Sequence, residues 1–445
     1  MPEIFCAVAA LMLLAASFVC ANPIPLRGVV EGFYGLPWSH AQRLEFMSFC
    51  RQHNLNAYIY APKDDPYHRA QWRESYPDHQ LNRLKELIAA ANQNQVEFIF
   101  AVSPGLDLDY SDQDFDFMIN KLSTLYNIGC RRFAVFFDDI TAHNGADQAA
   151  FLNRINKSFV ETHHDIKPLI TVPTEYFRLD MIDEKGAVKD YTRDFSAALD
   201  KNILVLYTGD AVVCPTVSDE QYNAANLICN RPLGLWFNYP VNDYLPQKPA
   251  LGPVDKLPHN LPAVFFNPMS AFELSKIALA TASDFAADPD HYDPQASWDN
   301  AIDDLFGDQA SDMKKFAAHS QHLKNDWANC GRDDAPGLRA EFDRLLNGED
   351  RFKAVNNILL DHINAVKALK HNLPHKILVE CQAQLDQLEL ILDADLIAVN
   401  LLQSDNPNLR LRLKDKLSAI DQLSDKALIS EQCAYRFIID VLNRR

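Results

Sequence analysis

Two adjacent carboxylates, Asp138 and Asp139, follow directly after the apolar run Phe133–Phe137. An acid at the end of a buried strand either caps the next helix or takes part in chemistry, and the pattern alone leaves both readings open. Carboxyl groups at the mouth of a barrel favour glycoside hydrolysis. Neighbouring Cα atoms are only about 3.8 Å apart, so the pair can hardly flank a sugar ring. We therefore expect one acid/base and one helper, with the nucleophile supplied by the substrate.

Eight short apolar runs precede the polar residues that would line such a site. They lie at 26–34, 56–61, 96–103, 132–138, 168–173, 203–207, 233–238 and 263–267, with helical patterns between most of them. Near-continuous apolar runs are typical of parallel strands covered on both faces. Their number and span predict an α/β fold, a (β/α)8 TIM barrel. A doubly wound open sheet is the rival, but the chain contains no GxGxxG motif.

The pattern changes at about residue 290, where Leu, Ala and charged residues begin to recur at helical spacing. Helices are predicted over 352–372, 375–396, 408–423 and 430–442. An all-α helical bundle domain is therefore expected after the barrel, with Trp298 and Trp327 in its core. We divide the chain into a signal peptide at 1–21, a catalytic barrel at 22–295 and a C-terminal helical domain at 296–445, which makes a compact two-domain enzyme.

Residues 1–21 have the pattern of a targeting segment. Ile4–Val19 is apolar and uncharged, but it is short for a membrane span of about 20 residues. Small residues near Ala21 fit cleavage, which predicts a signal peptide and an exported protein, periplasmic or secreted, with no stable membrane span. Because Glu3 is the only charged side chain before the apolar run, an uncleaved anchor stays open as the alternative.

The chain has 445 residues and a net charge of −18. This acidic balance argues against a nucleic-acid partner, because binding to a phosphate backbone needs cationic side chains. Seven Cys follow residue 21 without a CxxC pair, and no HExxH occurs, so we predict no metal and no cofactor. Cys50 and Cys130 are expected to be buried thiols. A disulfide between Cys214 and Cys229 stays open, as does the oligomeric state.

Six longer motifs occur in one order along the predicted barrel. They are RGVVEGFYG at 27–35, YIYAPKDDPYHR at 58–69, FDDI at 137–140, LITVPTEY at 169–176, FNYPVNDY at 237–244 and FNPM at 266–269. Together they resemble the β-N-acetylglucosaminidases of glycoside hydrolase family 84, which include O-GlcNAcases and proteins described as hyaluronidases. The resemblance spans residues 26 to about 300 and extends more loosely into the helical part. It implies exo-acting, retaining hydrolysis of terminal β-linked GlcNAc on a glycoconjugate, with O-GlcNAc on protein Ser or Thr as one candidate substrate.

The resemblance also implies roles for residues within the motifs. Asp138 would hold the N–H of the 2-acetamido group, whose carbonyl oxygen attacks the anomeric carbon to give an oxazoline. Asp139 would act first as the acid and then as the base. Tyr176 would stabilise the acetamido oxygen, and Trp236 would form one wall of the pocket around the acetamido group. The residues that would bind sugar hydroxyls or brace the pocket are Gly32, Lys63, Asn238, Asp243 and Asn267. The family often has a second Trp where this chain has Phe237.

Two other functions stay open: a non-catalytic GlcNAc-binding protein on the same scaffold, and an endo-acting hyaluronidase. The intact Asp138-Asp139 pair argues against the first. The net charge of −18 and a motif set suited to a terminal sugar argue against the second. Asp64 and Asp65 form another acid pair, which we expect to be structural because a proline follows at once, and Lys63 is a candidate ion-pair partner for either of them.

Overall fold

A computed structural model describes residues 22–141 and 144–444, so the predicted signal peptide lies outside the described residues. The first eight strands form one closed parallel barrel in chain order. They are Leu26–Glu31 (β1), Ala57–Tyr60 (β2), Glu97–Val102 (β3), Arg132–Phe136 (β4), Ile170–Val172 (β5), Leu204–Tyr207 (β6), Gly234–Phe237 (β7) and Ala263–Phe266 (β8). The predicted (β/α)8 barrel is confirmed.

Helices alternate with most of these strands and cover the outside of the barrel. They are His40–Gln52 (α1), Asp78–Gln93 (α2), Asp112–Asn127 (α3), Gly145–Ile155 (α4), Asp190–Ala198 (α5), Asp219–Cys229 (α6) and Phe272–Ala287 (α7). Both α1 and α6 begin at a serine capping box, in which Ser39 pairs with Gln42 and Ser218 with Gln221. A long loop, residues 238–262, joins β7 to β8.

The period of two along each strand explains where the polar residues lie. Apolar side chains fill the barrel interior, among them Val30, Ala61, Ala101, Phe136, Leu206, Trp236 and Phe265. The residues two positions further along the same strands are Gly32, Lys63, Ser103, Asp138, Thr208, Asn238 and Asn267. Because side chains alternate between the two faces of a strand, these residues form a largely polar layer on top of the apolar interior. Most predicted runs extend past the observed strand ends into this layer.

A C-terminal helical region follows the barrel, as predicted. Its helices are Pro294–Phe306 (α8), Ala310–Ala318 (α9), Pro336–Leu346 (α10), Phe352–Asn372 (α11), His375–Ser404 (α12), Pro407–Asp421 (α13) and Ala434–Leu442 (α14). A short antiparallel hairpin, Leu323–Lys324 (β9) and Asn329–Cys330 (β10), interrupts the helices and was not predicted. The predicted domain boundary at 295 falls within α8, and the division into domains stays a prediction.

An ion triad with a buried Lys248–Asp334 pair joins the β7–β8 loop to the helical region. The Lys248 ammonium lies 2.7 Å from Asp334 and 2.6 Å from Glu431. Asp334 also accepts the backbone N–H groups of Gln321 and His322, which directly precede β9, at 2.9 and 3.0 Å. Buried charges persist in proteins when they are paired and hydrogen-bonded. The triad therefore fixes the loop relative to the β9–β10 hairpin.

The seven described cysteines are all buried free thiols, as expected for Cys50 and Cys130. Cys214 and Cys229 do not form a disulfide. Cys229 is the last residue of α6, whereas Cys214 precedes the start of this helix by five residues. Cys229 instead lies 3.8 Å from the sulfur of Met181.

Asp395 in α12 is fully buried, and neither of its carboxyl oxygens has a partner among the described residues. Burial raises its pKa well above the usual value. The folded state therefore keeps a proton that the unfolded chain releases near pH 4, so this group lowers stability as the pH rises above that value. We expect Asp395→Leu to raise the free energy of unfolding at pH 7 by about 1–3 kcal/mol, the cost of an unsatisfied buried polar group.

Chemical denaturation at pH 7 and pH 4 measures this effect, and the gain should be smaller at pH 4. The exposed Asp415 in α13 provides a matched control, since Asp415→Leu should change stability by less than about 0.5 kcal/mol. A loss of stability in Asp395→Leu at pH 7 would show that the carboxyl has a stabilising role.

Candidate active site

A cavity of about 400 Å³ opens at the C-terminal ends of the barrel strands. Its lining includes every site residue predicted from the sequence: Gly32, Lys63, Asp138, Asp139, Tyr176, Trp236, Asn238, Asp243 and Asn267. Side chains of Val172, Val212, Val213 and Val241 add apolar wall. A small concave site with apolar walls and a few convergent polar groups is typical of small-molecule binding.

The two adjacent carboxylates have different surroundings. Asp138 forms an ion pair with Lys63, and these side chains are only 9% and 3% exposed. Asp139 has a φ of +56°, and its side chain is 35% exposed. A left-handed conformation at a residue other than glycine is strained, and such residues cluster at functional sites. This backbone conformation lets the two neighbouring acids take separate positions in the cavity.

Two tyrosine hydroxyls donate to the Asp139 carboxylate. Tyr34 donates to Oδ2 at 2.7 Å, and Tyr176 donates to Oδ1 at 2.9 Å. The Lys63 ammonium lies 3.9 Å from Oδ2. Burial raises the pKa of both tyrosines, and the charge of Asp139 adds to the effect. Both hydroxyls therefore stay protonated near neutral pH and remain hydrogen-bond donors to Asp139.

The second carboxyl oxygen of Asp138, Oδ1, is buried and has no donor among the described residues. An unsatisfied buried acceptor costs about 1–3 kcal/mol, so it calls for an explanation in any folded protein. Because Asp138 lines the cavity, this oxygen can accept a hydrogen bond from a ligand N–H or O–H group.

A connected hydrogen-bond network links three further residues of the cavity lining, Trp236, Asn238 and Asn267. The Asn238 Oδ1 atom accepts from Trp236 Nε1 at 2.8 Å and from Asn267 Nδ2 at 3.0 Å. The Gly32 backbone N–H donates to Asn267 Oδ1 at 3.3 Å. A Cβ atom on Gly32 would lie 2.5 Å from the Trp236 ring. Glycine at this position, directly after β1, therefore lets the backbone lie against the indole.

Asp243 lies in the β7–β8 loop and accepts the backbone N–H of Tyr34 at 2.8 Å. Burial raises the pKa of Asp243, and the negative charge of Asp139 raises it further. The carboxyl group therefore links two loops of the barrel mouth and still faces the cavity, where it can bind hydroxyl groups.

The sequence reasoning missed several aromatic and cationic residues at this mouth. Tyr34 and Arg69 lie within the first two motifs, which were the available signal, and Arg69 donates to the Tyr34 hydroxyl at 2.8 Å. Trp298 is buried as predicted. Trp327 is 58% exposed, so its predicted place in the helical core is wrong. It lies in the β9–β10 turn, lines the cavity and contacts Tyr244, with ring centroids 5.1 Å apart.

The other acid pair, Asp64 and Asp65, lies outside the cavity lining. Asp65 accepts hydrogen bonds from the hydroxyls of Tyr60 and Tyr76, both at 2.8 Å. These bonds hold the loop after β2, which agrees with the expected structural role. Lys63 pairs with Asp138 instead of either member of this pair.

Within residues 22–141 and 144–444, no cluster of three or more His, Cys, Asp or Glu side chains could hold a metal ion. Over the same residues, no helix has both the length and the apolar character needed to cross a membrane.

A closed (β/α)8 barrel with two carboxylates at its mouth is the class of scaffold and site that many glycoside hydrolases use. The sequence model of the β-N-acetylglucosaminidase family matches residues 27–318. The model described as a hyaluronidase post-catalytic domain-like region matches residues 342–438. The chain therefore belongs to the β-N-acetylglucosaminidases of glycoside hydrolase family 84.

Individual relatives agree with this membership. Over 272 residues the chain is 35% identical to the protein O-GlcNAcase of Rattus norvegicus, a match that covers 58% of this chain and only 29% of the relative. The solved structure of CpGH84B is 38% identical, with a TM-score of 0.88, and the match covers 94% of this chain and 77% of that one. A variant of the Thermobaculum terrenum O-GlcNAc hydrolase is 30% identical, with a TM-score of 0.81 and 94% of both chains covered.

Proposed function

We propose that this protein is an exo-acting, retaining β-N-acetylglucosaminidase that hydrolyses terminal β-linked GlcNAc by substrate-assisted catalysis. The observation that carries the proposal is the pair of divergent carboxylates: Asp138 keeps a buried acceptor atom free, and Asp139 lies nearer the cavity mouth. An acetamido N–H is a suitable donor for Asp138 Oδ1. The position of Asp139 suits proton exchange with a leaving group.

In the first step, the acetamido carbonyl oxygen attacks the anomeric carbon while the glycosidic C–O bond breaks. Asp139 gives its proton to the leaving oxygen. Asp138 accepts the acetamido N–H, which stabilises the positive charge that develops as the oxazoline ring closes. The ion pair with Lys63 orients Asp138 for this task.

In the second step, Asp139 takes a proton from water, and the resulting oxygen nucleophile attacks the anomeric carbon. The bond from the anomeric carbon to the oxazoline oxygen breaks and restores the acetamido group. Two inversions at one carbon leave the product in the β configuration. Asp139 ends the cycle protonated, ready for the next leaving group.

The remaining residues of the cavity are assigned to substrate binding. Trp236 presents an apolar wall to the acetamido methyl group. Tyr176 exchanges its hydrogen bond to Asp139 for one to the acetamido oxygen. Polar groups for the sugar hydroxyls come from the Gly32 carbonyl, Asn238, Asp243 and Asn267.

We assign O-GlcNAc on protein Ser or Thr as a substrate, because the cavity ends in an exposed aromatic rim. The named relatives include an O-GlcNAcase and an O-GlcNAc hydrolase. Tyr34 and Trp327 are 45% and 58% exposed, so their rings offer more open surface than a single buried sugar would cover. Aromatic side chains of this kind provide apolar contact area for a polypeptide segment.

Release of the aglycone from an aryl β-GlcNAc glycoside tests the proposed activity, with the α-anomer and the β-glucoside as matched controls. We expect cleavage of the β-GlcNAc compound alone, a β-configured first product by NMR, and competitive inhibition by a thiazoline mimic of the oxazoline. Binding of GlcNAc without hydrolysis would favour a binding protein instead. Internal cleavage of hyaluronan would favour the endo-acting alternative.

Trp327→Ala should affect glycopeptides more than small glycosides. Loss of the indole removes apolar contact with the aglycone, so we expect KM for an O-GlcNAc peptide to rise by about 10-fold. KM for a small aryl β-GlcNAc glycoside should change little. Leu227 on α6 is 82% exposed, and Leu227→Ala is the matched surface control. Equal effects of Trp327→Ala on both substrates would contradict a role in aglycone binding.

We also propose that the protein is exported by means of the segment 1–21. Mass analysis of the mature N-terminus tests this proposal. A chain that begins near residue 22 is expected, whereas an intact Met1 would exclude cleavage.

A further inference from the structure

The guanidinium group of Arg69 binds Asp139 by two routes. Its Nη1 atom donates to the Tyr34 hydroxyl at 2.8 Å, and that hydroxyl donates to Asp139 Oδ2 at 2.7 Å. Its Nη2 atom donates to the Asp139 backbone carbonyl at 3.2 Å. One rigid, planar group thus connects to both the side chain and the backbone of the same residue.

Asp139 needs such support because of its backbone conformation. A φ of +56° costs about 1–3 kcal/mol for a residue other than glycine and persists only where the surroundings hold it. Because its side chain is partly exposed, burial alone does not fix its orientation. The bond from Arg69 to the carbonyl holds the backbone, and the bond from Tyr34 holds the carboxylate.

The same contacts strengthen one another. A donor to the Tyr34 oxygen polarises the O–H bond, and this strengthens the hydrogen bond that Tyr34 donates in turn to Asp139. The Tyr176 hydroxyl, at 2.9 Å, and the Lys63 ammonium, at 3.9 Å, contact the same carboxylate.

We propose that Arg69 is a positioning residue: it holds the Asp139 backbone directly and the Asp139 carboxyl group through Tyr34, so that this group is oriented for proton transfer to the leaving oxygen. The inference rests on the proposed hydrolysis with Asp139 as the acid/base. It goes beyond sugar recognition, because Arg69 lies behind Tyr34 and is not among the described residues that line the cavity.

The test compares Arg69→Met, Arg69→Lys and Tyr34→Phe on two aryl β-GlcNAc glycosides, one with a leaving group that needs protonation and one that departs without it. Arg69→Met should lower kcat/KM about 10-fold for the first glycoside, as expected for weakened acid catalysis, and much less for the second. Tyr34→Phe should show the same dependence on the leaving group, and Arg69→Lys should retain part of the activity that Arg69→Met loses.

Arg193 on α5 is an exposed arginine paired only with its neighbours on the same helix among the described residues, so Arg193→Met controls for the lost surface charge. If Arg69→Met fails to fold, Arg69→Lys and Tyr34→Phe carry the same comparison. Equal losses on both glycosides, or no loss at all, would overturn the inference. A wild-type protein that cleaves neither glycoside would instead refute the proposed hydrolysis, and the inference would fall with it.

Discussion

Asp139→Asn is expected to lower kcat/KM for a β-GlcNAc glycoside with a poor leaving group by about 100- to 10,000-fold, the usual contribution of general acid–base catalysis. Asparagine keeps the size of the side chain, and its carbonyl oxygen still accepts one tyrosine hydrogen bond. It cannot transfer a proton. Steady-state kinetics with a poor and a good leaving group measures the effect, which should be much smaller for the good one.

Asp64→Asn is the matched control, because Asp64 is exposed on a neighbouring loop and lies outside the cavity. It should leave the rate unchanged. Full activity of Asp139→Asn on the poor leaving group would refute its assignment as the acid/base. A small anionic nucleophile that needs no base should partly restore turnover of the good leaving group by the variant.

Asp138→Asn should impair both catalysis and stability. Its amide cannot provide the negative charge that stabilises the closing oxazoline, so we expect kcat to fall by about 100-fold or more. The nearly buried Lys63 would lose its nearest counterion, and removing one partner of a buried pair destabilises a protein by about 3–5 kcal/mol. Thermal unfolding and kinetics on an acetamido substrate measure the two effects separately.

The double variant Asp138→Asn with Lys63→Met separates the ion pair from the chemistry. Removing both charges should recover most of the lost stability and none of the lost activity. Recovery of activity together with stability would mean that Asp138 matters only for folding. The thiazoline mimic should bind the single Asp138→Asn variant at least about 10-fold more weakly, because one buried hydrogen bond to a charged group is lost.

The sequence was sufficient for the parts of this structure that depend on local patterns. Apolar runs of the right length predicted the eight strands, and the polar residues that end them predicted the cavity lining, because strand periodicity places both. Asp138 and Asp139 were predicted from the apolar run that precedes them. The family motifs then supplied residue roles that composition and spacing could not provide.

Other features depend on contacts between distant parts of the chain. The pairing of Lys63 with Asp138 joins residues 75 positions apart, and two nearer acids competed for the same lysine in the sequence. The φ of Asp139 follows from its surroundings, and no residue pattern predicts a left-handed aspartate. Trp327 resembled a core residue because a large apolar side chain in a helical region is usually buried, and a hairpin of two-residue strands gives almost no periodic signal.

The ion triad of Lys248, Asp334 and Glu431 has a consequence for how the specificity of this site can change. It holds the β9–β10 hairpin, which carries Trp327, beside the cavity. The carboxyl groups that line this cavity belong to the strands and loops of the barrel. Under the proposed function, the residues for reaction chemistry and those for aglycone preference thus lie in separate stretches of the chain. We therefore expect substitutions at the hairpin tip to change aglycone preference and to preserve turnover of the sugar, provided that the ion triad is kept.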